Sequence, residues 1–167
     1  MLVTVATARG AAFVLAATSS LMFLAPTAPA AAEEQTLHCK LVTHRLDAPA
    51  ALPEIAGHSV DAGQYMGVAT CDDGRIAYKR FVVTSDGAGQ SGSFKGYSTY
   101  TFENNDALTL SFTGTWDASG ERGDYTLVSG TGKFAGATGT GSFKALDEPW
   151  EEANLYDISF KLTLATQ

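Results

Sequence analysis

Between residues 106 and 117 every second position is apolar or glycine. Leu108, Leu110, Phe112, Gly114 and Trp116 alternate with Thr109, Ser111, Thr113 and Thr115. A two-residue period gives one apolar and one polar face, as in a half-buried antiparallel strand. Residues 154–165 repeat the pattern, with Tyr156, Ile158, Phe160, Leu162 and Leu164 on one side. Weaker alternation marks 35–46, 64–71, 75–84, 92–102, 124–129 and 139–145. From Gln35 onward no stretch sustains a 3.6-residue period, so helices are not expected.

Turn chemistry falls between these segments. Asp73-Gly74 and Asp86-Gly87 suit hairpin positions with positive φ. Asn104-Asn105-Asp106 and the stretch 118–123 are also turn-forming. Residues 48–57 carry Pro49 and Pro53 and read as a longer loop. The count is eight strands in one domain, residues 33–167. Short hairpins make neighbours antiparallel. The expected fold is all-β, with room to form a closed eight-stranded antiparallel up-and-down barrel; a two-sheet sandwich is the alternative, and periodicity alone does not separate the two.

The first 32 residues follow different rules. Arg9 is the sole charge before Glu33. An apolar run over 11–24 holds Phe13, Val14, Leu15, Leu21, Met22, Phe23 and Leu24, and small residues follow to Ala32. This order is that of a cleavable signal peptide, with cleavage between Ala30 and Ala32. The run is shorter than the ~20 residues a spanning helix needs. The expected destination is the periplasm or the medium, with no membrane contact after cleavage.

Export changes the reading of the two cysteines, Cys39 and Cys71. They lie 32 positions apart in an oxidising compartment, which predicts a structural disulfide; a pair of free buried thiols is the alternative. His38, His44 and His58 are too scattered for metal-ligand spacing, and no metal or cofactor is expected. The full chain has 11 Lys+Arg against 18 Asp+Glu, a formal charge of −7. Without Arg9 the balance is −8. An acidic chain lacks the basic face that nucleic acid or anionic membrane requires. The 45% hydrophobic content argues against disorder.

Seventeen glycines exceed the usual ~7% of a chain. Their densest run is Ser129-Gly130-Thr131-Gly132-Lys133-Phe134-Ala135-Gly136-Ala137-Thr138-Gly139. It fails as a phosphate loop, since Leu127 stands where the first P-loop glycine belongs and Phe134 where the Ser or Thr belongs. It matches a loose Gly130-x-Gly132-x-x-Ala135 dinucleotide pattern, but a strand rather than a helix follows. A tight crossover anchored by an inward Phe134 fits better. Gly92-Ser93-Phe94-Lys95 recurs as Gly141-Ser142-Phe143-Lys144, which reads as two hairpins reusing one start.

The stretch from Val128 to Gly139 also resembles the Gly-(Thr/Ser)-Gly-x-(Phe/Tyr)-x-Gly-x-x-Gly segment of the allene oxide cyclase and dirigent group. The resemblance is specific from Leu108 to Leu146. It implies a closed eight-stranded barrel around an apolar cavity. It further implies cofactor-free control of a cyclisation or coupling there, or simple ligand holding. No catalytic residue of the group falls on a position of this stretch.

The residues themselves carry no nucleophile motif. His58-Ser59 is a neighbour pair beside a proline-containing loop. Most carboxylates sit at turns, and the acidic run 147–152 lacks an ordered Ca²⁺-ligand pattern and reads as solvated. Arg80 and Glu103 fall within strand patterns and become site candidates if they point inward. Aromatics are richer. Tyr100, Phe112, Trp116, Tyr125 and Tyr156 are the expected ligand-binding set, because an inward tyrosine hydroxyl needs a polar partner or a ligand. The function expected is an exported barrel binding a small hydrophobic molecule. A cofactor-free cyclase or dirigent-like stereochemical guide is the first alternative, and a secreted interaction or inhibitor module with a filled core the second. A cavity of roughly 300 Å³ or more with convergent polar groups favours the first two readings.

Overall fold

The computed structural model describes residues 32–48, 57–147 and 150–166. Eight strands run β1 (Glu33–Arg45), β2 (His58–Cys71), β3 (Ile76–Ala88), β4 (Ser91–Phe102), β5 (Ala107–Asp117), β6 (Gly120–Thr131), β7 (Thr138–Leu146) and β8 (Asn154–Leu164). Each pairs with its neighbour in sequence, and β1 pairs with β8 from Glu33↔Leu164 to Thr43↔Asn154. That last ladder closes the sheet into an antiparallel up-and-down barrel and excludes the sandwich. Among the described residues the only helical piece is a 3₁₀ turn, Gly132–Phe134.

The alternation sorts side chains as expected. Along β5, Leu108, Leu110 and Phe112 are buried; along β8, Tyr156, Ile158, Phe160 and Leu162 are buried. Burying such a side chain stabilises by about 1.5–3 kcal/mol relative to exposure. Arg80 lies exposed on β3 and Glu103 lies exposed in the turn after β4 rather than in a strand, so neither is a site candidate.

The turns depart from expectation at one place. Gly74 has φ +85° and Asn105 φ +66°, as their turns require. Asp86 and Gly87 do not form a turn. They continue β3, paired with Ser93 and Gly92, and the chain reverses instead at Gly89, with φ +63°. Gly87 faces the interior, where a Cβ would come within 2.4 Å of the Trp116 ring. Packing against an indole, not backbone freedom, selects glycine there. The turn of 118–123 is also tighter than expected, since β6 resumes at Gly120. The loop at 49–56 and the leader lie outside the described residues, apart from Ala32.

The same logic runs through the barrel wall. Phe112 pairs with Gly96, Phe94 with Gly114, Trp116 with Gly92, Phe143 with Gly123, and Phe160 with Gly141. Each ring occupies the space that a side chain on its partner would fill. The repeated Gly-Ser-Phe-Lys segments serve this arrangement. Both turn their phenylalanine inward, and Phe94 and Phe143 meet with ring centroids 5.9 Å apart. A Cβ at Gly96 would lie 2.0 Å from the Val82 carbonyl oxygen and 2.5 Å from the Phe112 ring. Because the nearer atom is backbone, relief requires a strand to move. Gly96→Ala is expected to lower stability by about 2–3 kcal/mol, read as an earlier urea midpoint at unchanged m-value.

The barrel has two unlike ends. At one end Phe134 and Leu108 are fully buried and Phe102 lies 5.3 Å from Phe134. Arg75 lies over the Phe102 ring, and the Lys133 ammonium sits 4.9 Å from the centre of Phe134. The Cys39–Cys71 disulfide bridges paired residues of β1 and β2 at this end. The glycine-rich turn is tied down here as well. The Lys133 amide donates to the Asp106 carboxylate at 3.2 Å, so an amide of the would-be phosphate loop already has its anion. A Cβ at Gly132 would collide with that carboxylate. The inward Phe134 anchor is therefore observed, together with an acidic clamp.

Candidate functional site

The other end leads into a cavity of about 200 Å³. Strand direction explains its composition. In an up-and-down barrel the ends of odd strands and the starts of even ones share a rim. Asp61, Ser85, Trp116, Glu121 and Asn154 reach the cavity from those positions. Below them the walls are Tyr65, Phe81, Val83, Phe94, Phe112 and Phe143. Trp116 stacks on Phe94, with ring planes 17° apart.

The depth of the cavity is polar. Lys79 lies between Ala77 and Phe81 on the inward face of β3 and is only 4% exposed. Its Nζ donates to the Tyr125 hydroxyl at 2.8 Å. Tyr125 in turn shares a 3.1 Å hydrogen bond with Tyr100. Four rings surround the amine, with centroids from 4.2 Å (Phe81) to 5.7 Å (Phe112). Burial pushes the Lys79 amine down to about 7, against the opposing field of Glu121. Burial also raises Tyr100 and Tyr125 above the ordinary phenol range. The chain from Lys79 to Tyr100 is thus built of neutral hydroxyls at neutral pH.

A second polar pair sits nearer the rim. The Tyr156 hydroxyl donates to Glu121 Oε2 at 2.9 Å. Burial, reinforced by the Glu121 charge, raises Tyr156 as well. On the opposite side Arg45 binds Asp61 through both terminal nitrogens, at 2.5 and 3.0 Å, and Tyr65 stacks on Phe81. The Asp61 and Asp47 carboxylates hold the Arg45 guanidinium above its usual value.

Of the five expected aromatic residues, Phe112, Trp116, Tyr125 and Tyr156 line the cavity. Tyr100 does not. It lies one layer deeper, 1% exposed and edge-on to Phe160, and reaches the cavity only through its bond to Tyr125. Lys79 and Glu121 were not singled out by sequence. The signal for Lys79 was present, since Ala77, Lys79, Phe81 and Val83 share one parity and Arg80 the other. Among the described residues no cluster of His, Cys, Asp or Glu is placed to hold a metal.

No protein-family model and no curated protein sequence matches this chain. Its fold does match solved structures. Two pterocarpan synthase dirigent proteins superpose with TM-scores of 0.58 and 0.60 at 15% and 13% identity. Each match covers 81% of this chain, and 93% and 97% of the respective dirigent chain. A protein of unknown function from the DUF3224 family of Shewanella oneidensis matches at TM-score 0.50 and 13% identity, over 81% of this chain and 99% of that one. The chain is a closed barrel of the dirigent fold.

Proposed function

We infer that the protein is an exported barrel that holds a small aromatic or apolar molecule in its open cavity. The observation that carries this reading is the composition of the 200 Å³ space: apolar ring walls with a few convergent polar groups, Lys79, Tyr125, Glu121 and Tyr156. A core filled by its own side chains would leave no such space. The volume is below the roughly 300 Å³ of drug-sized sites, and it sets the ligand class. A dry cavity of about 150 Å³ accepts benzene, so the fit is to a one-ring molecule. Export rests on the leader pattern and accords with the Cys39–Cys71 disulfide.

A second reading has its own support. Glu121 and Tyr156 form a mutually bonded acid–hydroxyl pair inside the cavity, an arrangement able to accept or relay a proton. Together with the fold shared with pterocarpan synthase dirigent proteins, it favours a cofactor-free guide of cyclisation or coupling.

Benzyl alcohol tests the holding reading. It is expected to raise the melting temperature in proportion to the logarithm of its concentration. It should also shift the side-chain resonances of Phe112, Tyr125 and Trp116. Val83→Trp, which places an indole in the cavity, should abolish both effects. Shifts confined to the outer face, or none at saturating alcohol, would sink the reading. Native mass spectrometry of protein from secreting cells, before and after denaturation, identifies any molecule that co-purifies.

A further inference from the structure

We propose that Lys79 is a covalent capture site for small aromatic aldehydes, which it binds as an imine inside the cavity. The inference rests on the reading that the cavity admits a one-ring molecule, and it adds a chemical class and a bond.

Lys79 meets three requirements at once. Lys79 lines the cavity and its nitrogen sits among Phe81, Phe112 and Tyr125, which line it too, so a molecule that enters from the rim arrives beside it. The Tyr125 hydroxyl, at 2.8 Å, accepts one N–H and fixes the nitrogen in place. An amine that donates through N–H keeps its lone pair for a carbonyl carbon. Burial lowers the Lys79 amine to about 7, so a share of it is neutral and nucleophilic near neutral pH. The same ring faces suit the flat face of an aromatic aldehyde.

The step balances without a co-reactant. The Lys79 lone pair forms the N–C bond as the carbonyl π pair moves to oxygen. One amine proton transfers to that oxygen, giving a carbinolamine. The second N–H proton leaves with the oxygen as water, and the C=N bond forms. Nothing is oxidised or reduced. The charged and titratable groups that share the cavity with Lys79 are Asp61 and Tyr65 from β2, Glu121 and Tyr125 from β6 and Tyr156 from β8, with Tyr100 of β4 bonded to Tyr125 beneath them. The tyrosines stay neutral through the range in which Lys79 titrates.

Benzaldehyde with sodium cyanoborohydride provides the test, because reduction fixes the imine as an N-benzyl group. The oxidised full-length protein is treated at about pH 7.5, where an exposed lysine is only about one part in a thousand neutral. Peptide mapping is expected to find Lys79 labelled about tenfold or more above Lys40, Lys95, Lys133, Lys144 or Lys161. The label should fall away as pH drops below 7, and benzyl alcohol should compete with it. The chain's α-amino group, also partly neutral at this pH, serves as the internal control and should not respond to benzyl alcohol. Even labelling of exposed lysines while benzyl alcohol still binds would overturn the capture proposal and leave the holding reading standing. Failure of both alcohol binding and Lys79 labelling would overturn both. The wild-type map suffices, so the outcome does not depend on a variant that folds.

Discussion

Lys79→Met is expected to make the barrel more stable by about 3 kcal/mol at pH 6, not less. Methionine keeps the length and the apolar stem while removing a charge that water would otherwise solvate. Tyr125 and Tyr100 retain their bond to each other, so no buried hydroxyl is stranded by the change. The pH dependence carries the sharper signature. The folded amine titrates at about 7 and the unfolded one near 10.4. Between those values the unfolded chain binds one more proton than the folded chain. Wild-type stability must therefore rise with pH across this window, by on the order of 4 kcal/mol in total. Below pH 7 both states are protonated and the full penalty is present. The difference between variant and wild type should accordingly shrink from pH 7 towards pH 10. Because Tyr100, Tyr125 and Tyr156 are common to both proteins, their alkaline titration cancels in that difference. Urea melts of both proteins at several pH values measure it, and a gap that widens with pH would show that the amine is not desolvated.

The disulfide carries the other large effect. Replacing Cys39 and Cys71 together by serine should cost about 3.5–4 kcal/mol, the loop-closure entropy of a crosslink spanning 32 positions. The two residues are ladder partners between β1 and β2, so the sheet keeps them paired when the crosslink is removed. Most of the loss therefore reflects a freer unfolded chain. Calorimetric or urea melts of the double variant measure it. Alkylation without reduction gives an independent check, and two reactive thiols in native exported protein would contradict the crosslink.

All eight strands were legible because the period-two alternation is strong wherever one face is wet. Closure was expected from the family resemblance and not from the alternation, since the β1–β8 pairing joins residues more than a hundred positions apart and leaves no local trace. Glycine misled in an instructive way. Its excess suggests turns, and Gly74, Gly89, Gly120 and Gly132 do take positive φ. Yet Gly92, Gly96, Gly114, Gly123 and Gly141 lie within strands opposite aromatic rings. A strand glycine looks like turn chemistry until its cross-strand partner is known. That ambiguity also placed a turn at Asp86-Gly87. The cavity's aromatic walls were readable from parity; Lys79 shares that parity, but with the exposed Arg80 beside it the pair reads as ordinary surface charge. A lysine in an otherwise apolar parity set marks an inward amine. Glu121 gave less warning. It follows Gly120 at the very start of β6, where alternation has barely begun.

The unlike ends of the barrel have a bearing on traffic. Among the described residues, Phe102, Phe134 and the crosslink close one end, which makes the cavity a blind alley and not a tunnel. Whatever enters must leave by the same door. A second molecule can queue only on the rim side of the first, beside Glu121 and Tyr156, and never behind it. Any reaction between two molecules here would therefore run in a compulsory order, with the inner one loaded first and the outer one blocking its exit.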